Sequence, residues 1–235
     1  MLSSSAKILA VLLLMAGSSA TLAQDVRYSW FEIAFVEQEI DRTASFSDIV
    51  IGQSVEISAT DGSGIRFRGS VGTWHNLFAF VDFNSSDIDV VGLVSSPLEP
   101  EVTARDEFDF TAVRGGVGLK WSLTPKTDIY GAVSYDSLDF DFGSFVGENF
   151  DADDKGVGAT VGIRSVFRDK LELRANARYS GVGDVDLNTG VTDTDTLFGV
   201  GIGYELIRGL SITADFDSGQ FSSWNVGFRL DLDED

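Results

Sequence analysis

Leu171–Ser180 reads LELRANARYS, and its alternation decides the fold. Leu171, Leu173, Ala175, Ala177 and Tyr179 share one parity; Glu172, Arg174, Asn176 and Arg178 share the other. Successive side chains of an extended strand point to opposite faces, so this segment has one apolar and one strongly polar face. An amphipathic helix needs a period of 3.6, and nothing after residue 23 keeps that period over three turns. Trp224–Leu232 repeats the design, with Trp224, Val226, Phe228, Leu230 and Leu232 against Asn225, Gly227, Arg229 and Asp231. Val113–Trp121 sets Val113, Val117, Leu119 and Trp121 against Arg114 and Lys120.

Ten segments of this kind are readable, near 26–37, 64–74, 77–84, 107–123, 128–142, 155–167, 171–181, 195–206, 210–217 and 221–232. Their connections alternate in length. Short ones lie at His75-Asn76, Thr124–Thr127, Arg168–Lys170 and Ile207–Gly209. Long acidic ones lie near 38–63, 85–106, 143–154 and 182–194, with a short fifth near Ser218–Gln220. Tight turns at one end and long connections at the other describe an up-and-down antiparallel meander. The expected class is all-β, with about ten strands and eight as the alternative.

The N-terminus is of another kind. Lys7 precedes the apolar run Ile8–Met15, and Ala16–Ala23 is small and mostly polar, with Thr21 and Ala23 where a signal peptidase reads. Residues 1–23 are therefore expected to be a cleaved signal peptide, and 24–235 one domain. Eight apolar residues are too few for a membrane-spanning helix, which needs about 20.

Composition removes several chemistries. With no cysteine there is no disulfide, thiolate metal site or thiol nucleophile, and one histidine, His75, leaves little for hydrolysis. The 17 Lys+Arg against 37 Asp+Glu give a net charge of −20, which excludes nucleic acid as a partner because phosphates demand a basic surface. The chain is nevertheless 43% hydrophobic and 11% aromatic, too apolar for a disordered acidic chain.

Which face lines the inside distinguishes a soluble barrel from a membrane one. Three features favour apolar-out: the signal peptide, the aromatics near strand ends (Phe31, Phe35, Trp121, Tyr179, Tyr204, Trp224), and the terminal spacing Asn225-x-Gly227-x-x-Leu230-x-Leu232. That spacing is similar to the C-terminal signal by which outer-membrane barrels are recognised for insertion. From Tyr28-x-Trp30 through Leu232, the chain resembles the small bacterial outer-membrane β-barrel proteins, the OmpA/OmpX-like and porin-family group. It departs from them in ending on Leu232 followed by Asp233-Glu234-Asp235 instead of an aromatic. The resemblance implies a transmembrane up-and-down antiparallel β-barrel in the cell outer membrane, with periplasmic turns and termini and long acidic extracellular loops. It also implies as partners the outer-membrane lipid, lipopolysaccharide and, through the last strand, the barrel-assembly machinery.

By strand parity the inward face carries the bases Arg66, Arg68, Arg114, Lys120, Arg164, Arg174, Arg178 and Arg229. The acids Glu32, Asp82, Asp128, Asp136, Glu172, Glu205 and Asp215 share it. Near-balance suits a lumen filled by ion pairs, since buried charges need partners; a narrow porin-like channel is the alternative. Acid clusters at Asp139-x-Asp141, Asp151-x-Asp153-Asp154 and Asp184-x-Asp186 are candidate contacts for divalent cations, although none has the spacing of a calcium loop. Gly115-Gly116-Val-Gly118, Gly156-Val-Gly158 and Gly199-Val-Gly201-Ile-Gly203 lack the nucleotide-binding pattern. As lumen-facing positions they are expected to make room for neighbouring arginines. His75 tests the enzyme reading. Outer-membrane hydrolases such as the omptin proteases, similar in strand number, work at the outer end, whereas His75 sits in a turn expected at the periplasmic end. The reading is a surface-exposed structural or interaction protein, not an enzyme, and without a cofactor.

Overall fold

The computed structural model describes residues 26–48, 53–73, 76–96, 99–141, 151–185, 192–219 and 222–232. The expected signal peptide and His75 lie outside the described residues. Ten strands follow one another: β1 (Trp30–Asp48), β2 (Gln53–Gly72), β3 (Leu77–Ser96), β4 (Glu99–Thr124), β5 (Thr127–Asp141), β6 (Asp151–Phe167), β7 (Leu171–Val185), β8 (Thr192–Ile207), β9 (Leu210–Ser218) and β10 (Ser222–Asp231). Each pairs antiparallel with its chain neighbour, and β1 pairs with β10, which closes the barrel. The closing register sets Glu32 opposite Arg229 and Phe35 opposite Val226. Closure matters because a strand in lipid has no water to satisfy a free edge.

One end is built of tight turns. Arg168 and Asp169, between β6 and β7, both adopt left-handed backbone (φ 51° and 61°), as the two central residues of a type I′ turn require. Gly209 (φ 77°) supplies the same geometry between β8 and β9 without a Cβ to resist it. The segment before β1 and the residue after β10 meet at this end of the barrel, where the Leu232 N–H donates to the Ser29 carbonyl at 2.8 Å.

The opposite end differs from expectation in kind. The long connections near 38–63 and 85–106 are largely hairpin arms: β1 and β2 stay paired out to Asp48 opposite Gln53, and β3 and β4 out to Ser96 opposite Glu99. Their acid content reads as loop, but β-branched residues persist between the acids, as in Val90, Val91, Val94 and Val102, and sustain pairing. The barrel wall is therefore uneven. A membrane-spanning strand needs about 9–11 residues; β4 has 26 and β9 has 9.

Inside and outside are inverted relative to a water-soluble protein. Val117, Leu173 and Val226 are 54%, 42% and 43% exposed, while Glu32, Asp82, Glu172 and Arg229 are buried. Trp121 and Tyr204 ring the outer surface near the tight turns, and Phe35, Tyr135, Tyr179 and Trp224 ring it toward the other end, the arrangement of interfacial aromatic girdles.

Candidate functional site

The lumen is layered. Its floor, at the tight-turn end, is apolar: the segment before β1 folds inward and buries Val26 and Tyr28. Tyr28 meets Phe78 (ring centroids 5.0 Å), and Phe78 meets Tyr130 edge-on at 6.0 Å. Lys120 Nζ and the Arg164 guanidinium lie over the Tyr28 ring at 4.3 and 4.7 Å. Cations over an aromatic face are attracted by its quadrupole, so the floor is tied to the charges above it. The Ser29 hydroxyl accepts from the Gly72 N–H at 3.2 Å and anchors the segment to the wall.

Above the floor stands an ion-pair layer built on four carboxylates. Glu172 takes Arg229 through both oxygens (2.8 and 3.0 Å), Arg164 at 2.8 Å and the Arg174 Nε at 3.6 Å. Asp82 takes Arg66 in a two-pronged contact (2.8 and 2.6 Å) and Arg114 at 2.8 Å. Glu32 accepts from Arg68, which also reaches Asp215, while Arg174 donates to Asp215 at 2.9 Å. Arg174 on β7 approaches Glu32 on β1 within 3.7 Å, so the layer crosses the lumen and does not merely line it. Planar guanidinium forks suit such multidentate pairing.

The remaining expected residues fall around this layer. Glu205 is at the tight-turn rim, where its Oε1 accepts from the Gly209 N–H at 2.9 Å and lies 3.7 Å from Arg27. Asp128 is buried near the floor, and Asp136 is buried further up, accepting from the Ser180 hydroxyl at 2.9 Å. Arg178 faces the lumen four residues above Arg174, with its Nε buried and unpartnered.

Three charged residues of the network are absent from the expected lumen set: Arg27, Asp217 and Asp231. Asp217 accepts from Arg66 at 3.1 Å, and Asp231 lies 3.2 Å from the Arg229 Nε. Parity could have found the last two, since Asp217 follows Asp215 by two residues and Asp231 follows Arg229 by two. The glycines differ from expectation in their occupants. Gly116 and Gly118 give room to the Phe80 and Phe78 rings, Gly162 to Tyr130, and Gly158 to Asp136 and Ser134. At Gly201 the neighbours are Asp215 and, at 3.0 Å, the Arg174 Nε. Rings and carboxylates fill most of these spaces because each glycine lies beside strands whose inward positions carry them.

A second charged zone lies outside, just past the apolar band. Glu39 stands opposite Asp61, Asp87 opposite Asp109, Asp89 opposite Glu107 and Asp139 opposite Asp153. All eight side chains are exposed. The register extends the row from Asp109 to Asp141 and on to Asp151. Lys155 relieves part of this rim: it donates to Asp153, and that hydrogen bond holds the Asp153 carboxyl below the usual carboxylate range. Among the described residues no group of three or more His, Cys, Asp or Glu side chains is placed to hold a metal ion.

A closed wall with an apolar exterior and a charged, cross-linked interior is a transmembrane β-barrel of the outer-membrane type. No protein-family model matches the chain, and no curated protein does. Among solved structures it is similar to the translocator domain of the autotransporter NalP from Neisseria meningitidis, at 15% identity over 96% of this chain and 94% of that one, with a TM-score of 0.45. It is likewise similar to the outer membrane protein OprG from Pseudomonas aeruginosa (10% identity, 89% and 98% coverage, TM-score 0.43). A third is Ail, the attachment invasion locus protein of Yersinia pestis, solved with the heparin analogue sucrose octasulfate (11% identity, 87% and 99% coverage, TM-score 0.40).

Proposed function

We propose that this protein is a non-conducting, surface-exposed structural or interaction barrel of the outer membrane, exported with residues 1–23 as a cleaved signal peptide. The observation that carries the reading is the double closure of the lumen. The Val26–Tyr28–Phe78–Tyr130 floor lies below an ion-pair layer in which Arg174 and Arg68 span from wall to wall. An open channel would more naturally leave one sign of charge in excess to attract counter-ions. What remains for function is the exterior beyond the membrane, where the tall arms of β1–β4 stand. The acidic rim sits at the height of the outer-leaflet headgroups, so its partners are lipopolysaccharide phosphates bridged by divalent cations. The last strand supplies the contact to the assembly machinery. Catalysis is no part of this reading.

A narrow channel is the second reading, favoured by a cavity of about 260 Å³ within the lumen. Planar-bilayer recording on protein extracted in detergent separates the two. The expected record is flat; large, stable single-channel steps from the unmodified protein would establish the channel instead.

A further inference from the structure

The upper half of that cavity contains two charges left out of the ion-pair layer, the half-buried Arg178 and the buried Asp136. Arg66, Arg68, Arg114, Arg164, Arg174 and Arg229 each meet a carboxylate. Arg178 meets none among the described residues, and its Nε has no partner. Asp136 is 4% exposed; its Oδ2 accepts from Ser180, and its Oδ1 has no partner. Arg178 on β7 and Asp136 on β5 flank β6, and both line the cavity. Between them β6 presents Gly158, where any side chain would collide with Asp136 Oδ2 and Ser134 Oγ. Asp136 and Ser134 fill the space that Gly158 leaves, and Arg178 and Asp136 face the lumen without joining.

A charge held out of bulk water without a partner is costly, and opposite charges lining one cavity would be expected to pair with each other. They form no ion pair with each other, although both line the same cavity. Phe110, Leu138, Val182 and Leu197 line the same cavity further from the ion-pair layer. An apolar pocket with a few convergent polar groups is the usual form of a small-molecule site.

We propose that this upper lumen binds a small zwitterion with an apolar side group, the chemistry of an apolar α-amino acid. The ligand carboxylate takes the Arg178 guanidinium in a two-pronged contact. Its ammonium takes the Asp136 carboxylate, and its apolar body lies against Phe110, Val182 and Leu197. Because the ion-pair layer and the aromatic floor close the lumen beneath, ligand enters and leaves from the extracellular end. The pocket goes beyond the structural reading above and has its own readout, since conductance and binding are measured separately.

Calorimetric titration of the detergent-extracted protein with L-leucine tests it, alongside L-leucinamide, which lacks the carboxylate, and 4-methylpentanoate, which lacks the ammonium. Leucine should bind saturably at one site, with each analogue about tenfold weaker or worse, the scale of a lost hydrogen-bonded charge. Arg178→Gln and Asp136→Asn should each weaken leucine by a similar factor, while Asp109→Asn on the outer rim should leave it unchanged. Absence of saturable leucine binding to the unmodified protein would overturn the proposal. Equal binding of all three compounds would reduce the site to an apolar cavity, and 4-methylpentanoate binding as well as leucine would reduce it to an anion site; either result also overturns it. The three-compound series on the unmodified protein decides the matter even where a variant fails to fold.

Discussion

Asp82 and Asp87 lie five residues apart on β3, and their surroundings are opposite. Asp82 points into the lumen and is gripped by Arg66 and Arg114. Asp87 points out and stands directly across from Asp109. The odd spacing puts them on different faces, and the face decides which charge arrangement is tolerated. Inside a narrow wall within a membrane, an ion keeps its charge only by holding a counter-ion, so every lumen acid of the central layer has arginines around it. On the rim, water and salt screen like charges beyond about 8–10 Å, and acids can face acids at the modest cost of an unfavourable cross-strand pair.

If that contrast is right, the largest effect should come from Glu172→Gln. The buried carboxylate is shared by Arg164, Arg229 and Arg174, and its loss leaves three guanidinium groups without it. Breaking a buried pair in this way costs roughly 3–5 kcal/mol. The check is the urea midpoint of unfolding from detergent micelles. A shift no larger than that of a rim variant would erase the distinction between the two regions.

The next effect sharpens the boundary between lipid and lumen within one strand. Leu173→Arg places a charge on the lipid face of β7 and should cost about 2–4 kcal/mol in bilayers. Arg174→Leu, on the other face, removes a partner of Asp215 and of Glu32. Its penalty should persist in any detergent, whereas that of Leu173→Arg should fall as the micelle thins. Equal, detergent-independent shifts for both variants would mean that the two faces of β7 are not so divided.

Much of this contrast is legible in the sequence. The parity of Leu171–Ser180 puts Glu172, Arg174 and Arg178 on one face, the apolar-out features make that face the inside, and the same rule places Asp82, Arg114 and Arg229 there. Strand number follows from the turns. Three things are not legible. The arms of β1–β4 are hidden because acid-rich chain reads as loop, although its alternating valines keep it paired. The aromatic floor is hidden because Phe78, Phe80 and Tyr130 suggest a lipid face, yet each shares the inward parity of Asp82 or Asp128. Pairing partners are hidden because Arg68–Asp215 and Arg174–Glu32 join strands far apart around the ring, a fact of barrel closure and not of any one segment. For the same reason the isolation of Arg178 appears only once the other arginines have found their carboxylates.

The smallest expected effect concerns the rim, and its sign is the informative part. Asp89 on β3 stands directly across from Glu107 on β4, and both are exposed. Like charges directly opposite cost about 0.2–1 kcal/mol per pair, so Asp89→Asn should stabilise the barrel slightly in a chelator-containing, low-salt detergent buffer. Added sodium chloride should shrink the gain, because screening already weakens the repulsion that the substitution removes. Millimolar magnesium should reverse it in the presence of lipopolysaccharide, where a carboxylate bridged to lipid phosphate is worth more than an amide. A lumen variant such as Glu172→Gln should show neither dependence, since its partners are sealed from the bulk ions. The measurement is a set of thermal or urea midpoints for both variants across chelator, salt, and magnesium with lipopolysaccharide. A rim variant indifferent to magnesium would remove the cation-bridged lipid contact from the proposed function and leave the rim acids simply solvated.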